Sequence, residues 1–239
     1  MPNTLDAPER FDRRDLTLGL LAVASSATDV IAFVKLQQVF TSAMTGNTAL
    51  LGLAIGQGHV LAALNSAMAL LGYLCGVMLG ALVHARNGMR DLVFTLLLEG
   101  VFLGMFVLLW IFFDFPVSGY WLEAMITSSA MAMGVQSVAA RKVNLEGIPT
   151  VVFTSTLTSI VTTLTHLGIR GKSPSLFNTK RQSLAFALYG AGAVFTAFLL
   201  WADLKAAMGV PLLAIAIAIA VQFIPRSKCP PTPSPSHRS

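Results

Sequence analysis

Asp29 lies inside an apolar stretch, residues 16–34, of about 19 residues. That is long enough to cross the hydrocarbon core of a bilayer as a helix. An ionisable side chain at that depth is costly unless it faces a polar cavity or a partner, so Asp29 is a candidate functional residue. It could relay a proton or a cation, or bind a donor group of a solute; the alternative is a hydrogen-bonded carboxyl that fastens two helices together. Ser25, one helical turn earlier on the same face, is a candidate hydrogen-bond partner.

A short polar run interrupts the next apolar stretch: Met44-Thr45-Gly46-Asn47-Thr48. Where a helix breaks inside a membrane, the freed backbone groups must find protein partners or line a cavity. The half-helix ends at such a break can aim their dipoles at a bound solute. The run therefore predicts a solute- or ion-binding break in the helix. The alternative is close helix packing, in which Gly46 allows contact and Asn47 bridges two helices.

Composition restricts the class of protein that positions these residues. Hydrophobic residues make up 55% of the 239 residues and charged residues only 11%, against roughly 45–50% and 25% in soluble domains. The net charge of +5 could suggest a nucleic-acid partner, but the basic residues lie in short loops and tails, as positive-inside membrane proteins place them. We therefore expect a lipid bilayer as the partner and no nucleic acid.

Eight apolar segments can be marked, and six of them are long enough to cross a bilayer. The second segment is short and interrupted, and the sixth is marginal and rich in hydroxyl side chains. This pattern predicts an all-α, polytopic membrane helix bundle with one transmembrane domain over residues 16–224. The segments are 16–34, 42–56, 61–83, 92–113, 120–140, 150–167, 183–203 and 206–224.

Charge counting distinguishes two topologies. If all eight segments cross, ten Lys and Arg lie inside and six outside. If the second and sixth segments enter and leave on the same side, fourteen lie inside and only Lys35 and Lys205 lie outside. The second arrangement fits the positive-inside rule far better. We therefore predict six crossings plus two short interrupted or re-entrant segments. The tails 1–15 and 225–239 are then cytoplasmic, and the Pro-rich second tail is predicted to be disordered.

The two halves of the chain, about 16–113 and 120–224, resemble each other in two short runs. Each half would carry three crossings, so the second half would be inverted relative to the first. Such a 3+3 inverted repeat, with an interrupted segment in each half, is typical of transporters that bind solutes at mid-membrane. The matched runs are 29–35 with 136–142, which pairs Asp29 with Gln136, and 44–51 with 153–160, which pairs Thr45 with Thr154.

The motifs also resemble a known family. Asp29 with Phe33, then Met44-Thr45-Gly46-Asn47-Thr48, is similar to the signature of the YoaK-like family of small multi-pass membrane proteins. Met133-Gly134-Val135-Gln136 resembles that family's second-half motif. The resemblance implies a membrane protein of six to seven helices with no established reaction or ligand. Where the family has Thr-Gly in the second half, this chain has Thr154-Ser155.

Other polar positions complete the candidate site. Thr154, Thr158, Thr162 and Thr165 share one helix face and could line a pore, although such hydroxyls often bond to their own helix carbonyls instead. Glu99, inside the segment 92–113, is a candidate proton relay or a carboxyl neutralised by a neighbouring helix. The second-half candidates for solute binding or coupling are Gln136, Thr154, Ser155, Thr156 and Thr158.

Three glycines at intervals of four residues, Gly72, Gly76 and Gly80, predict close helix contact, within the bundle or between protomers. No arrangement typical of an enzyme or of a metal site can be read, so we expect neither catalysis nor a cofactor. The leading hypothesis is a small-solute transporter with a polar site at mid-membrane. A channel-like pore and a non-transporting scaffold or assembly protein are the alternatives, and a homo-oligomer is left open.

Overall fold

A computed structural model describes six stretches of the chain, and every regular element in them is an α-helix. The all-α prediction is confirmed for these residues, whereas most of both predicted tails lies outside them. The described stretches are 11–87, 91–113, 116–143, 153–170, 176–202 and 204–224. The helices are α1 (Arg13–Lys35), α2 (Met44–Gly56), α3 (Val60–Asn87), α4 (Asp91–Phe112), α5 (Tyr120–Val143), α6 (Phe153–Arg170), α7 (Leu176–Ala202), α8 (Leu204–Ala207) and α9 (Gly209–Gln222).

Among the described residues, four helices are long and apolar enough to cross a membrane: α1, α3, α4 and α7. The 24-residue helix α5 is equally long, but its buried face carries polar side chains such as Ser129 and Gln136. A helix surrounded by protein can hold such groups because it does not face lipid. The apolar helix α9 is shorter, with 14 residues. The structure thus agrees with a helical membrane bundle.

Helices α1 and α5 form the centre of the bundle, and most of their residues are buried. Helix α1 packs against α7 and α9, whereas α5 packs against α3 and α4; α2 lies on α3, and α6 lies on α7. The outer helices α3, α4 and α7 expose large apolar side chains, among them Leu74, Val101 and Phe198. Exposed apolar surface on this scale fits a lipid environment.

Glycines allow the closest approach between helices. On α3, Gly72, Gly76 and Gly80 face α5, and a Cβ atom at Gly76 would overlap the backbone of Met131. Gly134 of α5 faces α3 in return, against the backbone of Tyr73. Small residues on both sides let two backbones touch and gain dispersion energy. The structure therefore uses the glycine ridge for a contact inside the bundle.

Contacts at both ends of the bundle define the helix directions. Where α1 begins, Asp15 forms an ion pair with Arg181 near the start of α7, with Nε and Oδ1 2.6 Å apart. Beside it, Gln222 at the end of α9 donates to Thr17 over 2.9 Å. Helices α1 and α7 therefore run in the same direction, and α9 runs in the opposite one. We call this end of the bundle the Arg13 end.

At the other end, which we call the Lys35 end, α3 begins beside the loop that follows α1. Asn65 of α3 donates to Gln37 over 2.8 Å. Leu36 shares a buried cluster with Trp110 near the end of α4 and Leu122 near the start of α5. Helix α2 follows the loop 36–43 and leads directly into α3, so it begins and ends on the side of the Lys35 end.

The structure places the interruption earlier than the sequence predicts. Helix α2 is continuous from Met44 to Gly56, and Gly46 and Asn47 lie in its first two turns. The break is the loop 36–43, where Gln37 and Gln38 adopt φ angles of 57° and 63°. Two consecutive left-handed residues cannot continue an α-helix. Asn47 of the motif instead holds this loop through its hydrogen bonds to Phe40.

Candidate functional site

The Asp29 carboxylate is buried, with 3% of the side chain exposed, and is surrounded by hydrogen-bond donors. Its Oδ1 atom accepts from the backbone N–H of Thr41 at 2.7 Å, from the hydroxyl of Thr41 at 2.9 Å and from the N–H of Ser42 at 2.8 Å. Its Oδ2 atom accepts from the hydroxyls of Ser42 and Tyr189, the latter at 3.1 Å. Because an ionised carboxylate only accepts hydrogen bonds, five converging donors suit it well.

These contacts join three parts of the chain: α1, the loop 36–43 and α7. We call Asp29, Thr41, Ser42 and Tyr189 the Asp29 node. Ser25, the predicted partner of Asp29, donates instead to the Ser42 hydroxyl at 2.9 Å, and so supports the node from its rim. Asp29 lies six residues before Lys35, so the node is about 9 Å from the end of α1. The node therefore lies in the half of α1 that ends at Lys35.

Asn47 holds the same loop from the other side. Its Nδ2 atom donates to the Phe40 carbonyl at 2.6 Å, and its Oδ1 atom accepts from the Phe40 N–H at 2.9 Å. The side chain is completely buried, and it satisfies both polar backbone groups of one loop residue. The structure thus connects Asp29 with Asn47 through the loop backbone.

We expect Asn47→Asp to destabilise the fold by about 1–3 kcal/mol, the usual cost of an unsatisfied buried polar group. The substitution keeps the shape of the side chain, but it replaces the donor to the Phe40 carbonyl by a second acceptor. Chemical unfolding in mixed micelles would measure the loss. Thr45→Ala, at an exposed neighbour in the same turn, is the control and should change little. Equal stabilities of the two variants would contradict the clamp role of Asn47.

The other residues of the first motif do not point at Asp29. Thr45 and Thr48 are exposed, and the Thr48 hydroxyl donates to the Met44 carbonyl of its own helix. A Cβ atom at Gly46 would lie 3.1 Å from the Phe40 ring, so glycine leaves room for the loop. A nearby cleft of about 150 Å³ lies between α2, α3 and the loop, and it has both polar and apolar lining residues. Its lining includes Gln37, Gln38, Gln57, His59 and Ser66.

The second-half candidates lie apart from the Asp29 node. Gln136 of α5 is buried and donates through Nε2 to the Leu21 carbonyl of α1 at 2.7 Å. Thr156 is buried where α6 meets α7, whereas Thr158 is exposed. The side chains of Thr154 and Ser155 lie outside the described residues. The structure therefore places Gln136 in the core and the hydroxyl face of α6 at the edge of the bundle.

Sequence reasoning missed three members of the node: Thr41, Ser42 and Tyr189. Thr41 and Ser42 directly precede the polar motif, so their hydroxyls were a usable signal. Tyr189 is 160 residues from Asp29, and only the packing of α7 on α1 brings it close. Within the described stretches, no three His, Cys, Asp or Glu side chains come together as metal ligands do.

Glu99 of α4 is a separate buried polar feature. Its side chain is 0% exposed, and neither carboxyl oxygen has a hydrogen-bond partner among the described residues. The contrast with Asp29 is chemical: five donors reach one carboxyl and none reaches the other. The two buried acids therefore differ in what stabilises them.

The fold and these buried polar contacts define a multi-pass α-helical membrane protein. The chain belongs to the family described as "Protein of unknown function (DUF1275)", whose model matches residues 17–221. It is 33% identical over 216 residues to the UPF0700 transmembrane protein YoaK of Bacillus subtilis (strain 168), which covers 84% of this chain and 94% of that relative. No solved structure matches the chain. The family resemblance seen in the motifs is thereby confirmed, and an integral membrane location with it.

Proposed function

We propose that this protein is a small-solute membrane transporter in which the Asp29 node is the coupling element. One observation carries the proposal: a buried carboxyl inside a membrane helix holds the loop before a short helix and also a helix from the other half of the chain. Charged groups in membrane helices are rare and mark ion or proton pathways. The node is also where one proton would affect three segments at once.

The proposed architecture has six crossings, with α2 and α6 as short segments and both termini in the cytoplasm. The helix directions support it, since α1, α4 and α7 run from the Arg13 end while α3, α5 and α9 run back. The packing pairs support an inverted repeat. In such a repeat α1 corresponds to α5, α3 to α7 and α4 to α9. The packing of α3 on α5 then has its counterpart in the packing of α7 on α1, and that of α4 on α5 in that of α9 on α1.

Two residue pairs add to the case for a repeat. Tyr73 and Gly76 on α3 have the same spacing as Tyr189 and Gly192 on α7. Gly192 packs against Ser26 and the backbone of Val23 on α1, much as Gly76 packs against α5. Matched glycine contacts at equivalent places are what a duplicated helix pair would leave.

The node suggests a coupling role for Asp29 rather than direct solute binding. All its acceptor positions are taken by the loop and Tyr189, so a solute would have to displace them. A proton on Oδ2 would face the hydroxyls of Ser42 and Tyr189 and would remove the negative charge that the N–H groups of Thr41 and Ser42 bind at Oδ1. The loop 36–43 would then be held less strongly, and α2 with it. In this proposal α2 is the moving element, and solute enters beside it.

A non-transporting membrane scaffold is the second candidate. The hydrogen bonds of the buried Asp29 and Asn47 side chains to the loop 36–43 also suit residues that only stabilise the fold. The glycine ridge is occupied inside the bundle, so a homo-oligomer would need another surface. A channel-like pore would use the exposed hydroxyl face of α6. We do not propose an enzymatic activity or a nucleic-acid partner.

Reconstitution tests the proposal. Proteoliposomes with a trapped pH dye are challenged with separate classes of solute: amino acids, organic acids, sugars, nucleosides and monovalent cations. We expect one class of solute to cause a pH change inside vesicles that contain the wild type. Asp29→Asn should reduce the rate of that pH change at least tenfold while the chain stays folded. Glu123→Gln, which neutralises a half-buried acid at the start of α5, is the control and should retain the signal.

Each remaining result favours another function. Solute movement that is unchanged in Asp29→Asn would remove the coupling role of Asp29. Flux that does not saturate and does not depend on pH would indicate a channel. If no solute class moves in vesicles that contain folded protein, the scaffold is favoured.

A further inference from the structure

Glu99 is a second buried acid, and the Asp29 node does not explain it. It lies on the same face of α4 as Leu96 and Leu103, which pack in a cluster with Leu21 of α1, Ala132 of α5 and Ile215 of α9. The carboxyl therefore faces the place where four helices meet. An ionised carboxylate without donors in such apolar surroundings is strongly unfavourable, because it loses its hydration and gains nothing in return.

Gln136 faces the same cluster from α5. Gln136 shares a helix face with Ala132 and Ala140, which are members of that cluster. Its Nε2 atom is used by the Leu21 carbonyl, and its Oε1 atom is buried without a hydrogen-bond partner among the described residues. The core thus holds acceptors on Glu99 and on Gln136 that no hydrogen-bond donor among the described residues reaches.

Depth also places the two side chains together. Glu99 lies eight residues after the start of α4, and Gln136 lies seven residues before the end of α5. Both helix termini are at the Arg13 end, and at about 1.5 Å per residue both side chains lie roughly 10–12 Å from it. Helices α4 and α5 pack directly against each other. One proton on Glu99 would supply the donor that Gln136 Oε1 lacks.

We propose that Glu99 is a proton-binding site: its carboxyl is un-ionised in this conformation and donates to Gln136 Oε1. The proton comes from water at the Arg13 end and returns there when the carboxyl ionises. This inference deepens the proposed function by giving the transporter a second coupling group, and that use of the proton rests on the transport proposal. The protonated state itself does not rest on it.

The ionisable groups around Glu99 are few. Helix α9 carries none, and Tyr73 of α3 packs against the cluster from one side. Those of α5 are near its ends, with Tyr120 and Glu123 at the start and Arg141 and Lys142 at the finish. Arg141 and Lys142 are exposed. Asp29 belongs to α1, and its carboxylate is engaged by the Asp29 node. No cation among the described residues faces Glu99 as a partner.

Infrared spectroscopy of the full-length protein in lipid vesicles at neutral pH tests the inference. We expect the carbonyl-stretch band of an un-ionised carboxyl, shifted on exchange into D₂O, and its complete loss in Glu99→Gln. Asp29→Asn is the matched control, since it removes the other acid that is buried among the described residues and should retain the band. Gln136→Leu should keep the band but move it to higher frequency, because the acceptor is gone.

The opposite results overturn the inference. A band that persists in Glu99→Gln belongs to another group, and absence of the band from the wild type means that Glu99 is ionised. In that second case, an increase in Tm when Na⁺ replaces choline, seen in the wild type and not in Glu99→Gln, would show a bound cation instead.

Should Glu99→Gln fail to fold, ¹³C-labelled glutamate in the wild type provides the assignment: the band must shift with labelled glutamate and not with labelled aspartate. None of these measurements needs transport, so they can fail or succeed separately from the uptake experiment.

Discussion

Replacing Asp29 by alanine is expected to lower the free energy of unfolding by roughly 3–5 kcal/mol. The N–H groups of Thr41, which is buried, and of Ser42, which is half-buried, both donate to Oδ1, and in the variant both would lose this acceptor. Each unsatisfied buried donor costs about 1–3 kcal/mol. The hydroxyls of Ser42 and Tyr189 can rotate to other partners, so they contribute less. Unfolding by SDS in mixed micelles, followed by circular dichroism, gives the difference directly.

Asp29→Asn is the matched variant, because its remaining oxygen can accept from the same two N–H groups. The new amide can donate to the hydroxyls of Ser42 and Tyr189, which are able to accept. We therefore expect Asp29→Asn to unfold at a free energy much closer to that of the wild type. If alanine and asparagine destabilise equally, the backbone N–H contacts do not contribute as proposed. If neither destabilises, the loop is not held by Asp29.

The polar residues of the first half were predictable from the sequence, but their arrangement was not. Asp29 and Asn47 stand out because each is a polar group in an apolar segment, and the structure buries both. The sequence predicts a polar site at mid-membrane, and in the structure Asp29 and Asn47 both bond to the loop 36–43. The position of this loop depends on the left-handed backbone of Gln37 and Gln38, which directly follow α1. A glycine in the sequence indicates such a conformation, whereas a glutamine does not.

The second half was harder to predict for a different reason. The repeat alignment pairs Gln136 with Asp29, and both side chains are buried on central helices. Among the described residues, however, Gln136 donates to a carbonyl of α1, whereas Asp29 accepts from a loop. Its partners depend on how α1 packs beside α5, which no local pattern encodes. Glu99 was visible as an acid in an apolar segment. That Glu99 lies where four helices meet, with no hydrogen-bond donor to it among the described residues, could be learned only from the packing.

Gly76→Ala is expected to be the most damaging of the alanine substitutions at Gly72, Gly76 and Gly80, with a loss of about 3 kcal/mol or more. The new methyl group would overlap the carbonyl of Met131, which is backbone and cannot rotate away. Helices α3 and α5 would have to separate, and overpacking of this kind typically costs 1–3 kcal/mol or more. Separation of the two helices would also break the contact between Gly134 and the backbone of Tyr73. Unfolding in mixed micelles is again the measurement.

The other glycines of the ridge give a graded series that separates this explanation from a general intolerance of α3 to substitution. A Cβ atom at Gly72 would lie 2.8 Å from the Thr127 carbonyl oxygen, and one at Gly80 would lie 3.2 Å from side-chain atoms of Val138. Because a side chain yields more easily than backbone, the losses should fall in the order Gly76, Gly72, Gly80. Gly104→Ala on α4 meets nothing within 4 Å and should instead gain up to about 1 kcal/mol from helix propensity. If the losses of stability fall in the reverse order, or if Gly104→Ala causes a comparable loss, then close backbone contact between α3 and α5 is not what stabilises this helix pair.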